Sequence, residues 1–197
     1  MVDHYKFPKF IYNTKYQLDT SKNKCSIGDC VKQVLFNQIV VILPMFYILS
    51  YFFPLNFSNK VPTLLSLVYQ LAVVQLAGEV LYYIVHRLLH HRLIYRHIHK
   101  MHHDFKVPIG IVSLYAHPIE IIFGNIFALV GPAFFFHCDL FSLYIFMVFG
   151  IIDSITDHCG YDIKQQDHDI HHEKTIYNFG SIGLLDYLFG TDYTIKK

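Results

Sequence analysis

His86-Arg-Leu-Leu-His90-His91-Arg-Leu-Ile-Tyr-Arg-His97-Ile-His99-Lys-Met-His102-His103 packs seven of the chain's fourteen histidines into eighteen residues. The spacing is ordered. His86 and His90 are i, i+4, and His99, His102 and His103 are i, i+3, i+4, so on α-helices each set projects from one face. Imidazole is the commonest protein ligand for iron, zinc and copper. A second cluster, His168-Asp-Ile-His171-His172, repeats the H-x-x-H-H element. With His158 the candidates are nine: His86, His90, His99, His102, His103, His158, His168, His171 and His172. One structural zinc takes four ligands, so the number points to two metals with four or five imidazoles each. The plainer reading, solvated surface histidines, is preferred for His4, His91, His97 and His137, which fall off the repeated spacing.

Outward from that stretch the chain is apolar. It has 197 residues, is 53% hydrophobic and 17% aromatic, carries only 16% charged residues and has a formal net charge of +1. These values exclude a nucleic-acid footprint and a typical soluble domain. Cys25, Cys30, Cys138 and Cys159 form no CxxC, so neither a disulfide framework nor a zinc ribbon is expected. Residues 1–32 are polar and Lys-rich, without the pattern of a removable leader, and are expected to be a cytosolic tail. Residues 33–197 are expected to form one membrane-embedded domain.

No charged residue occurs between Lys32 and Lys60. Val34–Phe57 as helix would reach about 36 Å, enough to cross a hydrocarbon layer of roughly 30 Å. Pro44 is expected to kink it. A second run, Val61–Val85, leads into His86 and carries one acid, Glu79. An acid there is either a functional group or a polar helix contact. The block Ile109–Ile152 supplies a second hairpin, with Gly131-Pro132 and His137-Cys-Asp139 as its turn. Arg87, Arg92, Arg96, Lys100 and Lys106 share a side with the Lys-rich N-terminus, and the positive-inside rule makes that side cytosolic. The fold expected is all-α: about four transmembrane helices in two hairpins, with a cytosolic, helical, histidine-rich di-metal cap. Asp104, Asp153, Asp157, Asp167, Asp169 and Glu173 lie where carboxylates could orient imidazoles.

His86-R-L-L-His90, His99-K-M-His102-His103 and His168-D-I-His171-His172 together resemble the three histidine boxes of the fatty acid hydroxylase and sterol desaturase superfamily. Pro108-Ile-Gly110, Tyr115-Ala-His117-Pro118-Ile-Glu120 and Asp157-His158-Cys-Gly-Tyr161-Asp162 resemble blocks of its C-4 methylsterol monooxygenases. Tyr177-Asn-Phe-Gly-Ser181 and Asp186-Tyr-Leu-Phe-Gly-Thr-Asp192 are similar to the closing segment. The resemblance covers about residues 75–193. It implies two irons per chain held by the nine histidines, with His117 a tenth ligand or a supporting residue. Glu79, Asp157 and Asp169 are implied as supporting acids. It further implies an endoplasmic reticulum membrane location, a sterol or other lipid substrate, and O2. The chain has no GxGxxG and no CxxCH, so a cytochrome b5-type or reductase donor is expected to supply electrons. The link from Tyr161 to His168 is shorter than the family's, which implies an altered substrate edge.

Two other functions fit parts of this pattern. A fatty-acyl or sphingolipid hydroxylase, or a C-5 sterol desaturase, would share the boxes. A histidine-rich membrane metal transporter or sensor would place ionisable groups near the bilayer midplane, whereas these clusters fall beyond the helix ends.

Overall fold

The computed structural model describes residues 20–53, 61–160 and 167–193. The start of the tail with His4, residues 54–60 and the short link at 161–166 lie outside them. The described residues are helical, with no sheet. Two long helices come first, α1 (Ile27–Phe52) and α2 (Leu64–Leu89). A short α3 (Arg92–Tyr95) follows, then the long α4 (Pro118–Phe135) and α5 (Leu140–Asp157). Two short helices, α6 (Asp167–Lys174) and α7 (Leu184–Phe189), close the chain.

All four long helices leave large apolar side chains exposed, α4 fewest, with Leu64 and Leu65 of α2 about three-quarters or more exposed (76% and 81%). Water would not tolerate so much contiguous apolar surface; a bilayer requires it. The protein is therefore a multi-pass membrane protein.

Helix α1 starts ahead of the apolar run, because Ser26 caps it by accepting the Asp29 N–H on Oγ. Its buried residues Cys30, Val34, Asn37 and Val41 recur at steps of four and three, the single stripe that faces protein. The polar member is bonded: Asn37 Nδ2 donates to the carbonyls of Ala116 (2.9 Å) and Leu114 (3.3 Å).

Both prolines within the spans are handled alike. Asn37–Ile42 takes π-helical hydrogen bonding, and α-helix resumes at Leu43 with Pro44 in its first turn. Ile121–Val130 is likewise π-helical, and α-helix resumes at Gly131 with Pro132 next. At each position the missing N–H falls where the ladder changes register. Gly131-Pro132 is thus not a turn, contrary to the expectation from sequence. The turn is Phe136–Asp139 alone, with His137 exposed and left-handed at φ 50°. It is tied to α2, where Gln70 donates to Asp139 Oδ2 (2.8 Å) and accepts the Asp139 N–H (2.7 Å).

The apolar block from Ile109 also divides. Gly110–Leu114 forms a 3-10 helix outside the span, and α4 begins only at Pro118. Gly110 lies under α5, where a Cβ would come within 2.9 Å of Ile155 Cγ2.

One end of the bundle holds the exit of α2, the start of α4 and the exit of α5. The N-terminal end of α1 is there too: Lys24 N–H donates to Asp104 O (2.8 Å), and Asn23 bonds both ways with the Val107 backbone.

Asn37→Leu would take the donor from the Leu114 carbonyl and leave that of Ala116 only the longer bond from Gln33 Nε2 (3.5 Å), and leaving a buried group unsatisfied costs about 1–3 kcal/mol. The variant is expected to lose stability in that range by thermal unfolding in detergent, with little change at lipid-facing Ile39→Leu.

Candidate metal centre

All nine sequence-predicted histidines meet at that end, in two groups. His86, His90, His99, His103 and His171 form one, and His102, His158, His168 and His172 the other, each with its nitrogens within 4.8 Å of one another. His86 is in the last turn of α2 and His90 caps it. His158 caps α5. His99–Asp104 is a 3-10 helix rather than the α-helix expected. The element passes between the two groups: His99 and His103 join the first and His102 the second. Helix α6 divides similarly, sending His171 to the first group and His168 and His172 to the second. Each H-x-x-H-H element spans both groups.

Backbone carbonyls set the ring tautomers. Nδ1–H donates to Phe179 O from His86 (2.8 Å), Tyr115 O from His102 (2.9 Å) and Ser154 O from His158 (2.8 Å). It donates to Tyr177 O from His171 (2.6 Å) and Phe105 O from His172 (2.9 Å). A carbonyl only accepts, so Nδ1 carries the proton in each neutral ring and Nε2 presents a lone pair. Those Nε2 atoms face one another: His102 to His158 at 3.3 Å and to His172 at 3.1 Å, His90 to His171 at 3.0 Å, His86 to His99 at 3.2 Å. Where both rings are fixed this way, as in the His102 pairs, no proton lies between the nitrogens. Two lone pairs at that distance repel unless a cation sits among them. The donor set therefore fits two metal ions, one per group.

Burial holds the imidazoles of His90, His99, His103, His168, His171 and His172 well below the ordinary histidine range, and neighbouring imidazoles add to the shift. His158 is pushed down to about 3, by burial first and His102 second. Neutral rings are what a metal requires.

Most of the ring partners seen are backbone carbonyls; Glu120 is a carboxylate that meets a site ring, with Oε1 2.9 Å from His99 Nδ1 in a close contact off the ideal hydrogen-bond line. Asp157 ends α5, and Asp169 is buried beside His168. His117 lies outside both groups; it caps α4, its Nδ1 accepting the Ile119 N–H (3.2 Å). His91 and His97 are exposed and also outside.

Glu79 acts at one remove. Its Oε2 accepts from Ser181 N–H, Ser181 Oγ and Ile182 N–H, and its Oε1 from Leu185 N–H, at 2.7–3.1 Å. Asp186 accepts from the N–H groups of Phe179 and Gly180 and from Thr191 Oγ1. These two buried acids clasp the loop whose Tyr177 and Phe179 carbonyls orient His171 and His86. The rings of Tyr95 and Phe179 close over the first group, 5.4 and 5.1 Å from His90. Carbonyl partners leave no side-chain signal in a sequence, which is why these residues were not foreseen.

A cavity of about 610 Å³ lies among α1, α2 and α4, lined by Leu49, Phe53, Leu81 and Phe127 among others. No imidazole is in its wall. It is a place for an apolar body, not for the metal chemistry.

Residues 71–191 match the fatty acid hydroxylase family over more than half of the chain. The chain belongs to that family. Fatty acid hydroxylase domain-containing protein 2 of Macaca fascicularis is 36% identical over 100% of this chain and 62% of its own length. Methylsterol monooxygenase 1 of Danio rerio is 33% identical over 98% of this chain and 72% of its own. A very-long-chain aldehyde decarbonylase of Oryza sativa subsp. japonica is 31% identical over 94% and 77%. The chain thus spans about 62% of the length of the first of these relatives. No solved structure matches.

Gly180 has no room for a side chain: a Cβ would lie 2.6 Å from Glu79 Oε1 and 2.9 Å from Asp186 Oδ2. Gly180→Ala must displace the two carboxylates or the loop they hold, and either loosens the clasp that keeps Phe179 O at His86. Metal affinity, read by titration, is expected to fall about 10–100-fold; unchanged affinity would remove the clasp from the site.

The lowered histidine pKa values also set a pH dependence. The rings stay neutral in the folded cap but protonate near 6.5 in the unfolded chain. Their contribution is whole above pH 6.5 and is lost as pH falls, by up to about 1.4 kcal/mol per pH unit for each ring. The melting temperature of metal-free protein should drop steeply from pH 6.5 to 5; a flat profile contradicts this.

Proposed function

We propose that the chain forms a membrane-bound non-heme di-iron monooxygenase that oxidises the C-4 methyl group of sterol precursors. The observation that carries this reading is the pair of imidazole groups, five and four, at one end of four apolar helices. Nine imidazole donors exceed a structural zinc site and suit iron. His86, His90, His99, His103 and His171 would hold one ion, and His102, His158, His168 and His172 the other. Asp157 and Asp169 would support the second group.

When bound, iron supplies the activation of O2 that an unactivated methyl C–H bond requires. The chain's own residues do the rest. The carbonyls of Phe105, Tyr115, Ser154, Tyr177 and Phe179 keep the ring protons on Nδ1 and the lone pairs inward. Tyr95 and Phe179 exclude water from the first group. The apolar cavity receives the body of a lipid, and Leu81 in its wall is about 7.5 Å along α2 from His86. In each cycle a methyl group, O2, two electrons and two protons give a hydroxymethyl group and water. The electrons come from a cytochrome b5-type or reductase donor. We place the cap on the cytosolic face of the endoplasmic reticulum membrane, supported by Arg87, Arg92, Arg96, Lys100 and Lys106 at the histidine end.

The sterol assignment is supported by the Pro108–Gly110, Tyr115–Glu120 and Asp157–Asp162 blocks, and by the zebrafish relative's name. The described parts of those blocks serve the site: Tyr115 O holds His102, Glu120 meets His99, and His158 belongs to the second group. The macaque relative's name favours a second reading, hydroxylation of a fatty-acyl substrate.

Purified protein should contain about two irons per chain, and His171→Ala should lose metal while His91→Ala does not. Expression in a host lacking C-4 demethylation should restore the sterol profile, with His102→Ala inactive. Conversion of a fatty-acyl substrate but not of 4,4-dimethylsterol by the same membranes would select the second reading. Iron content indifferent to His171→Ala would sink both.

A further inference from the structure

Glu79 lies well inside a membrane span, yet the chain's closing loop reaches down to it. Helix α2 is about 39 Å long against a hydrocarbon layer of roughly 30 Å, and Glu79 is about 15 Å below its histidine end. Even with all the excess length on the histidine side, Glu79 would sit about 6 Å beneath the hydrocarbon boundary. Ser181, Ile182 and Leu185 hydrogen-bond directly to it. The residues that carry these bonds must lie at a similar depth.

We propose that the closing segment from Ile182 to Phe189, including α7, is seated in the bilayer, with lipid acyl chains covering its outer face. Three observations converge. First, Ile182, Leu184, Tyr187, Leu188 and Phe189 are 43–67% exposed, while the acid of α7, Asp186, faces inward at 2%. This apolar face lies against α2, where Leu76 and Ile84 are likewise exposed and Phe189 stacks on Tyr83 at 5.5 Å. Second, seven of the loop's backbone donors are satisfied by two buried acids of the protein. Glu79 and Asp186 take those of Phe179, Gly180, Ser181, Ile182 and Leu185. The Asp186 carbonyl takes those of Thr191 and Asp192. A loop in water has no need of two buried acids for this; a loop in hydrocarbon does. Third, Arg87 marks where the headgroups would lie. It is exposed, one turn above Tyr83, and its Nη1 donates to Tyr83 Oη while its guanidinium stands 5.5 Å from the Phe179 ring. An Arg over aromatic rings is a common interfacial anchor. The same loop carries the Tyr177 and Phe179 carbonyls that orient two site histidines, so the bilayer would press directly on the cap's support.

The chain contains no tryptophan, so Leu188→Trp creates a single reporter in the full chain. In phosphatidylcholine vesicles its emission should be blue-shifted, lost for the most part when the acyl chains are brominated, and indifferent to iodide. Lys174→Trp, on the exposed end of α6, should show the reverse. Iodide quenching of Leu188→Trp without bromolipid quenching would overturn the proposal. So would resistance to both quenchers, which would put a second copy or another protein over α7. The unaltered protein gives an independent readout: a diazirine carried on a lipid acyl chain should label the 182–189 peptide as it labels Leu64 and Leu65. Labelling of the span alone would equally overturn it.

Discussion

Nitrogen lone pairs aimed at one another across little more than 3 Å repel, and the cap of this protein holds two such pairs in place around His102. The carbonyls of Phe105, Tyr115, Ser154, Tyr177 and Phe179 fix the Nδ1 protons, which leaves the Nε2 atoms of five rings with lone pairs turned inward. Such an arrangement is tenable when a cation neutralises it. Much of the cap can be read as the means of keeping those carbonyls in position: the 3-10 turns before α4, the C-terminal cap of α5, and the clasp of Glu79 and Asp186.

The membrane imposes the complementary rule, that a polar group within a span must find its partner inside the protein. Asn37 meets the carbonyls of Leu114 and Ala116, Gln70 meets Asp139, Glu120 approaches His99, and Glu79 gathers the closing loop. These contacts also determine where the helices stand relative to the cap. Asn37 ties α1 to the segment that leads to His117, and Glu79 ties α2 to the segment that orients His86 and His171. The π-helical stretches ahead of Pro44 and Pro132 let the same spans carry proline without a lost bond deep in the hydrocarbon.

Much of the fold was legible because the bilayer writes its demands as composition. Runs without charge mark spans, and basic residues mark one side. The turn within the second hairpin was misplaced at Gly131-Pro132, since a π-to-α change of register has the same local signature as a turn. Helix α1 began earlier than its apolar run because a Ser26 cap needs no apolar residue. Glu79 stood equally well as a functional acid or a helix contact; it is a contact, but one made with the loop that supports the site.

For the site itself, repeated spacing was enough to set eight histidines apart from His91, His97 and His137, because residues that reach one region from a helix recur at helical intervals; His158, a single residue, was pointed to only by the resemblance of its block. Their total also implied two centres of four or five. What the sequence could not express is which ring goes where. His102 leaves its triplet for the group of His158, and His171 leaves its own for the group of His86, because both elements lie between the two centres. Ring orientation was equally hidden, since it depends on backbone carbonyls that every residue possesses and only tertiary packing aims.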